Sequence, residues 1–182
     1  MEVVKSEIPG LVILKPRVFS DDRGSFWETY NKSVFQSLGL DVNFVQDNQS
    51  VSKVNVVRGL HFQEPPHAQA KLVRVLNGAV LDVVVDIRKG SPTYGRHESV
   101  LLSAENKLLF FIPAGFAHGF AALEDNSVFQ YKCSAQYNKE SEGCLQWNDP
   151  TLNIAWGVKN PIISSKDSTG SIFENFESPF VF

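Results

Sequence analysis

The chain has 182 residues, with 17 Lys and Arg against 20 Asp and Glu and a formal net charge of −3. Hydrophobic residues make up 43% and charged residues 20%, a globular composition that excludes wholesale disorder. The slightly acidic balance argues against general nucleic-acid binding, and no apolar run approaches the ~20 residues of a membrane span. A chain of this length suits one compact domain that buries roughly two-thirds or more of its unfolded surface. The start, Met1-Glu2-Val3-Val4-Lys5-Ser6-Glu7, lacks the basic-then-apolar layout of a signal peptide, so a cytoplasmic location is expected.

Short runs rich in β-branched and aromatic residues, bounded by Gly, Pro, Asn or Ser, read as strands. In chain order they are Leu11 to Val18, Ser25 to Tyr30, Phe44 to Asn48, Val56 to Gln63, Lys71 to Leu76 and Ala79 to Arg88. They continue with Glu98 to Leu102, Leu108 to Ile112, Gly119 to Leu123, Ser127 to Cys133 and Gly143 to Trp147. Pro16 inside the first run marks an edge strand, because proline cannot donate to a ladder. One helix is expected over Lys32 to Leu38, capped by Asn31 and ended by Gly39. Asn77-Gly78 between two runs is a hairpin signal. In the clearest run, Leu81, Val83, Val85 and Ile87 share one face, while Val80, Asp82, Val84 and Asp86 share the other.

No internal repeat, linker or low-complexity tract divides the chain, so residues 1–182 read as a single domain. Some eleven short strands without βαβ spacing predict an all-β sandwich or barrel, with a jelly roll as the natural two-sheet form. The tail over 168–182 carries Phe173, Phe176, Phe180 and Phe182, and is expected to dock on the body or on a partner subunit.

The chain has four histidines, His61, His67, His97 and His118. No H-x-H or H-x-x-x-H pair is present, and Cys133 and Cys144 form no C-x-x-C; the two cysteines read as reduced thiols and no metal site is expected. Nucleophile-elbow, Walker and dinucleotide motifs are also missing. What remains is histidine, tyrosine, lysine and carboxylate, a set suited to metal-free proton transfer.

Several segments together resemble the dTDP-4-dehydrorhamnose 3,5-epimerase family. They include Asp22-Arg23-Gly24, Phe26-Trp27-Glu28, Asn43 to Asn48, Arg58-Gly59-Leu60-His61-Phe62-Gln63 and Lys71-Leu72-Val73-Arg74. Further matches are Asp82 to Arg88, Ser91 to Gly95, Pro113 to Phe120, Tyr131-Lys132, Tyr137, Glu142-Gly143, Trp147-Asn148-Asp149 and Ser165-Lys166-Asp167. The matches run from about residue 3 to residue 167. The resemblance implies a cupin-type jelly roll, a homodimer, no metal or cofactor, and a dTDP-4-keto-6-deoxyglucose substrate inverted at C3 and C5. It also implies that His61 accepts the proton, Tyr131 donates one, Asp167 pairs with His61 and Lys71 faces the C4 oxygen. Arg23, Glu28, Gln46, Asp47, Asn48, Arg58, His118, Glu142 and Lys166 would contact the nucleotide, diphosphate and sugar, with Tyr137 positioning. Alternatives are an epimerase acting at C3 or C5 alone, or a non-catalytic sugar-nucleotide binding module.

The chemistry is coherent on its own. The C4 ketone makes the protons at C3 and C5 acidic, and an imidazole is the side chain suited to remove them near neutrality. Strict alternation, however, puts Arg58 and His61 on opposite strand faces. A bulge at Gly59 would bring both to one ligand.

Overall fold

The computed structural model describes residues 1–182, the side chain of Lys5 excepted. The chain opens with β1 (Glu2–Lys5), β2 (Val12–Lys15), β3 (Val18–Asp21), β4 (Gly24–Trp27), helix α1 (Lys32–Ser37) and β5 (Gln46–Ser52). Next come β6 (Val57–Gln63), β7 (Lys71–Asn77), β8 (Ala79–Asp86), β9 (Arg88–Lys89) and β10 (His97–Ser103). The last strands are β11 (Leu109–Ile112), β12 (Phe116–Ala122), β13 (Ser127–Cys133), β14 (Glu142–Cys144) and β15 (Phe180–Val181).

Two antiparallel sheets face each other, one in the order β1-β2-β11-β7-β13-β5 and the other β10-β8-β12-β6-β14. This is the two-sheet jelly roll expected from the strand pattern. The core between the sheets takes Ile13, Val73, Val75, Phe110 and Phe129 from the first sheet and Val80, Val84, Leu102 and Phe120 from the second. Phe120 and Phe129 stack across it with centroids 4.3 Å apart. The alternation of β8 is as predicted, since Val83, Val85 and Ile87 turn to the opposite, outer face.

Both outer faces are partly covered. The segment around α1 lays Phe35, Leu38 and Phe44 on the six-stranded sheet, and Asn31 caps the helix by accepting from the Ser33 and Val34 N–H groups. The C-terminal segment lays Trp156, Phe173, Phe176 and Phe180 on the five-stranded sheet. The tail therefore docks on its own body. Phe62 meets Phe176 and Phe180 edge-on, β15 pairs in parallel with β9, and the Arg88 guanidinium lies 4.3 Å from the Phe116 ring centre and 4.8 Å from that of Phe182. Asp86 fixes Arg88 in turn, accepting also from the Ser91 and Thr93 hydroxyls. These bonds outweigh the cost of burial and hold its carboxyl at a pKa of about 2.

The first run and the hairpin depart from expectation, and three short strands were not foreseen. The run Leu11 to Val18 splits at Pro16, and β2 lies between β1 and β11, so it is an interior strand. Proline ends the ladder there instead of marking an edge. The short strands β1, β9 and β15 carry too little pattern to be seen in advance. Asn77-Gly78 forms no hairpin, because β7 and β8 belong to different sheets. Of the pair, Gly78 alone has positive φ (72°), whereas a type I′ hairpin needs it at both residues, and the chain turns a corner between sheets.

Candidate active site

The bulge at Gly59 builds one wall of the site. β6 advances three residues from Arg58 to His61, while β12 covers only the two steps from Phe120 to His118. The extra residue returns Arg58 and His61 to the same, inner face, as the conjectured bulge requires. Glycine is obligatory at that point. Its φ is 128°, and a Cβ would come within 2.5 Å of the Gly119 Cα.

The bulge also directs the Gly59 N–H to a partner outside the ladder. It donates to Asp167 Oδ2 at 3.3 Å, while Oδ1 lies 2.6 Å from His61 Nε2. Asp167 is 4% exposed, and its own N–H donates to Ser164 Oγ. Burial pushes its carboxyl pKa up, but His61, Gly59 and Ser164 together outweigh that and hold it below the usual value. With Nε2 turned to a carboxylate, Nδ1 is the nitrogen left free to take a proton.

The opposite wall comes from the six-stranded sheet. Lys71 on β7 and Tyr131 on β13 face inward, with the Lys71 ammonium 5.9 Å from the tyrosine ring centre. Burial pushes the Lys71 pKa down, against the pull of Cys133, Asp82 and Glu142, and it pushes the Tyr131 phenol up. The phenol thus keeps its proton at neutral pH.

Between the walls lie two chambers of about 310 and 340 Å³, both lined by His61, Lys71, Tyr131 and Glu142. The first adds Gln46, Asn48 and Tyr137; the second adds Arg58, His118, Lys166 and Asp167. Glu142 ties the rim together. Lys166 Nζ approaches it at 2.5 Å and the Tyr137 hydroxyl donates to it at 2.9 Å. Burial alone would raise the Glu142 pKa and lower that of Lys166; their pairing reverses both shifts.

Three expected contacts are not brought to this cavity. β5 alternates, so Gln46 and Asn48 point in while Asp47 points out and pairs with Lys132 at 2.9 Å. Arg23 sits at the exposed tip of the β3–β4 hairpin, bonded to Asp21, and Glu28 follows it and accepts from Asn31. The hairpin pairs with neither main sheet.

Other participants went unnoticed in the sequence. Asp82, fully buried, lies 2.9 Å from His118 Nε2, and its second oxygen has no hydrogen-bond partner among the described residues. An acid on the apolar inner face of β8, between Val80 and Val84, was the available signal. Gln63 accepts from the Asn138 N–H and donates to the His67 carbonyl, fixing the loop that carries Tyr137. Cys144 Sγ, a ring nitrogen of His61 and an oxygen of Asp167 lie within 4.8 Å of one another, a cluster that linear spacing did not reveal. Burial, then the Asp167 charge, pushes the Cys144 thiol up to about 12.

A family model described as dTDP-4-dehydrorhamnose 3,5-epimerase matches residues 5–175. The chain belongs to that family. The match extends past Asp167, where the resemblance read from motifs stops. A Shigella flexneri dTDP-4-dehydrorhamnose 3,5-epimerase is 51% identical over 95% of this chain and 96% of its own length. The crystal structure of the Elizabethkingia anophelis enzyme of that name superposes with a TM-score of 0.92 at 49% identity, covering 96% of this chain and 97% of that one. A Legionella pneumophila 3,5-epimerase, solved in complex with dTDP-4-keto-L-rhamnose, superposes with a TM-score of 0.94 at 41% identity, covering 98% and 97%. Among the described residues, no helix is long and apolar enough to cross a membrane.

Proposed function

We propose how this chain carries out the reaction of its family, inversion of dTDP-4-dehydro-6-deoxy-D-glucose at C3 and C5 to dTDP-4-dehydro-L-rhamnose. The observation that carries the reading is that His61 and Tyr131 stand on opposing sheets and line the same cavity. Inversion needs a proton removed from one face of the sugar ring and another delivered to the opposite face.

His61 Nδ1 takes the proton, and the electron pair of the broken C–H bond moves to form an enolate with its charge on the C4 oxygen. Asp167 stabilises the imidazolium so formed, and the Lys71 ammonium stabilises the enolate oxygen. Tyr131 then gives its hydroxyl proton to the carbon from the other side. Solvent resets the imidazolium and the phenolate, and the cycle repeats at the second carbon. Arg58, Lys166 and His118 supply positive charge or donors for the diphosphate and sugar, while Gln46, Asn48, Glu142 and Tyr137 position the nucleotide end.

Arg23, Glu28 and the exposed Phe26 and Phe19 are assigned to a partner's site in a homodimer. Phe26 is 72% exposed on a ribbon that leaves its own body, so a second subunit is the natural cover for it.

Incubating the protein with the 4-keto sugar nucleotide in D₂O tests the reading. Deuterium at both C3 and C5 of an inverted product is expected. Label at one carbon would make this a single-site epimerase, and no label would leave a binding module.

A further inference from the structure

Cys144 has no part in the chemistry above and lines neither chamber. It stands directly across from His61 in the β14–β6 pairing. Its Sγ, a His61 ring nitrogen and an Asp167 oxygen lie within 4.8 Å of one another. Thiol, imidazole and carboxylate are the three donor types that hold zinc, and all three come from ordered elements. Asp167 is buried and fixed by two backbone-linked bonds, and the His61 side chain is 29% exposed and open to an arriving ion.

We propose that a thiophilic divalent cation such as Zn²⁺ binds at His61, Cys144 and Asp167 and switches the epimerase off. The switching rests on the assignment of His61 as base; the binding does not. Bonds of about 2.0–2.2 Å to nitrogen and oxygen and about 2.3 Å to sulfur require the His61–Asp167 separation to open from 2.6 Å by less than about 1 Å. The thiol proton goes to solvent, and the imidazole proton moves from Nε2 to Nδ1, so the ring binds the ion through Nε2 as a neutral donor and Nδ1 is no longer a base. Carboxylate and thiolate then balance the dipositive charge, and a fourth position remains for water. A metal-bound imidazole turned from its working position no longer takes the substrate proton, and Asp167 no longer stabilises an imidazolium. Because the set includes sulfur and nitrogen, Zn²⁺ and Co²⁺ should enter, whereas Mg²⁺, which prefers oxygen donors, should not.

Cobalt reports the site directly. Chelator-treated protein titrated with CoCl₂ should develop a thiolate-to-cobalt charge-transfer band in the near ultraviolet that saturates at one ion per chain. Cys144→Ala and the closer-sized Cys144→Ser should both lose the band while Cys133 remains. In the epimerase assay, ZnCl₂ should inhibit the wild type, equal MgCl₂ should not, and either variant should need at least about tenfold more Zn²⁺. Cobalt binding without a sulfur band, or equal Zn²⁺ sensitivity of wild type and variants, would overturn the proposal. A protein that shows the cobalt band but no activity when metal-free would keep the site and overturn the catalytic reading instead.

Discussion

Replacing Asp167 by asparagine keeps the side-chain shape and removes the charge that faces His61. The wild-type carboxylate is almost fully buried, with one oxygen 2.6 Å from Nε2. Once His61 holds the substrate proton, two unit charges about 4 Å apart interact by about 4 kcal/mol at an effective dielectric of ~20. At the low end, a neutral hydrogen bond of about 0.5–1.5 kcal/mol replaces a charged one of about 1.5–3 kcal/mol, a loss of roughly 1.5 kcal/mol. The expected fall in kcat is therefore about 10- to 900-fold. Amide orientation favours the upper end. Gly59 already donates to Oδ2, so an amide that offers its oxygen there turns its NH₂ to Nε2. The imidazole proton must then sit on Nδ1, the nitrogen needed as base. NMR in D₂O, following loss of the C3 and C5 proton signals, gives the rate, and thermal unfolding verifies that the variant is folded. A folded Asp167→Asn protein with less than a threefold loss would refute the dyad.

Tyr131→Phe should leave the base intact and remove the acid, so D₂O should give deuterium wash-in with retained configuration and little inversion; inversion near the wild-type rate would move the donor role to Tyr137 or water. Asp86→Asn should destabilise the fold by on the order of 2 kcal/mol at pH 7, because a carboxyl at about 2 instead of 3.8 favours the folded state. That stability is present above the unfolded pKa and is lost as pH falls toward 2, so the denaturant midpoints of wild type and variant should converge there. Mixing Arg23→Ala with His61→Ala protein should restore activity through hybrid dimers in which one site has both residues; no rescue despite proven subunit exchange would count against the shared site.

Much of the fold was legible because alternation is local. The run Ala79 to Arg88 displays its two faces in the sequence alone, and Asn31 and Gly39 mark the ends of α1. The jelly roll follows from many short strands without crossover helices. His61, Lys71, Tyr131 and Asp167 were legible as a set only through the family resemblance, since each residue by itself reads as ordinary.

The amino-acid sequence by itself determined most of the longer strands, the all-β class, the family and the residue types of the candidate site, because composition, period and motif are written within a few residues. Tertiary structure decided which side chains share a cavity. Asp167 reaches His61 across 106 positions, from a turn shaped by Ser164 and tied to β6 by the Gly59 N–H. One extra residue at Gly59 puts Arg58 beside His61, while unbroken alternation on β5 turns Asp47 away. Cys144 became a neighbour of His61 and Asp167 only when β14 aligned with β6. Such contacts depend on register and on segments closing over long loops, and a single residue of offset reverses a side chain's face.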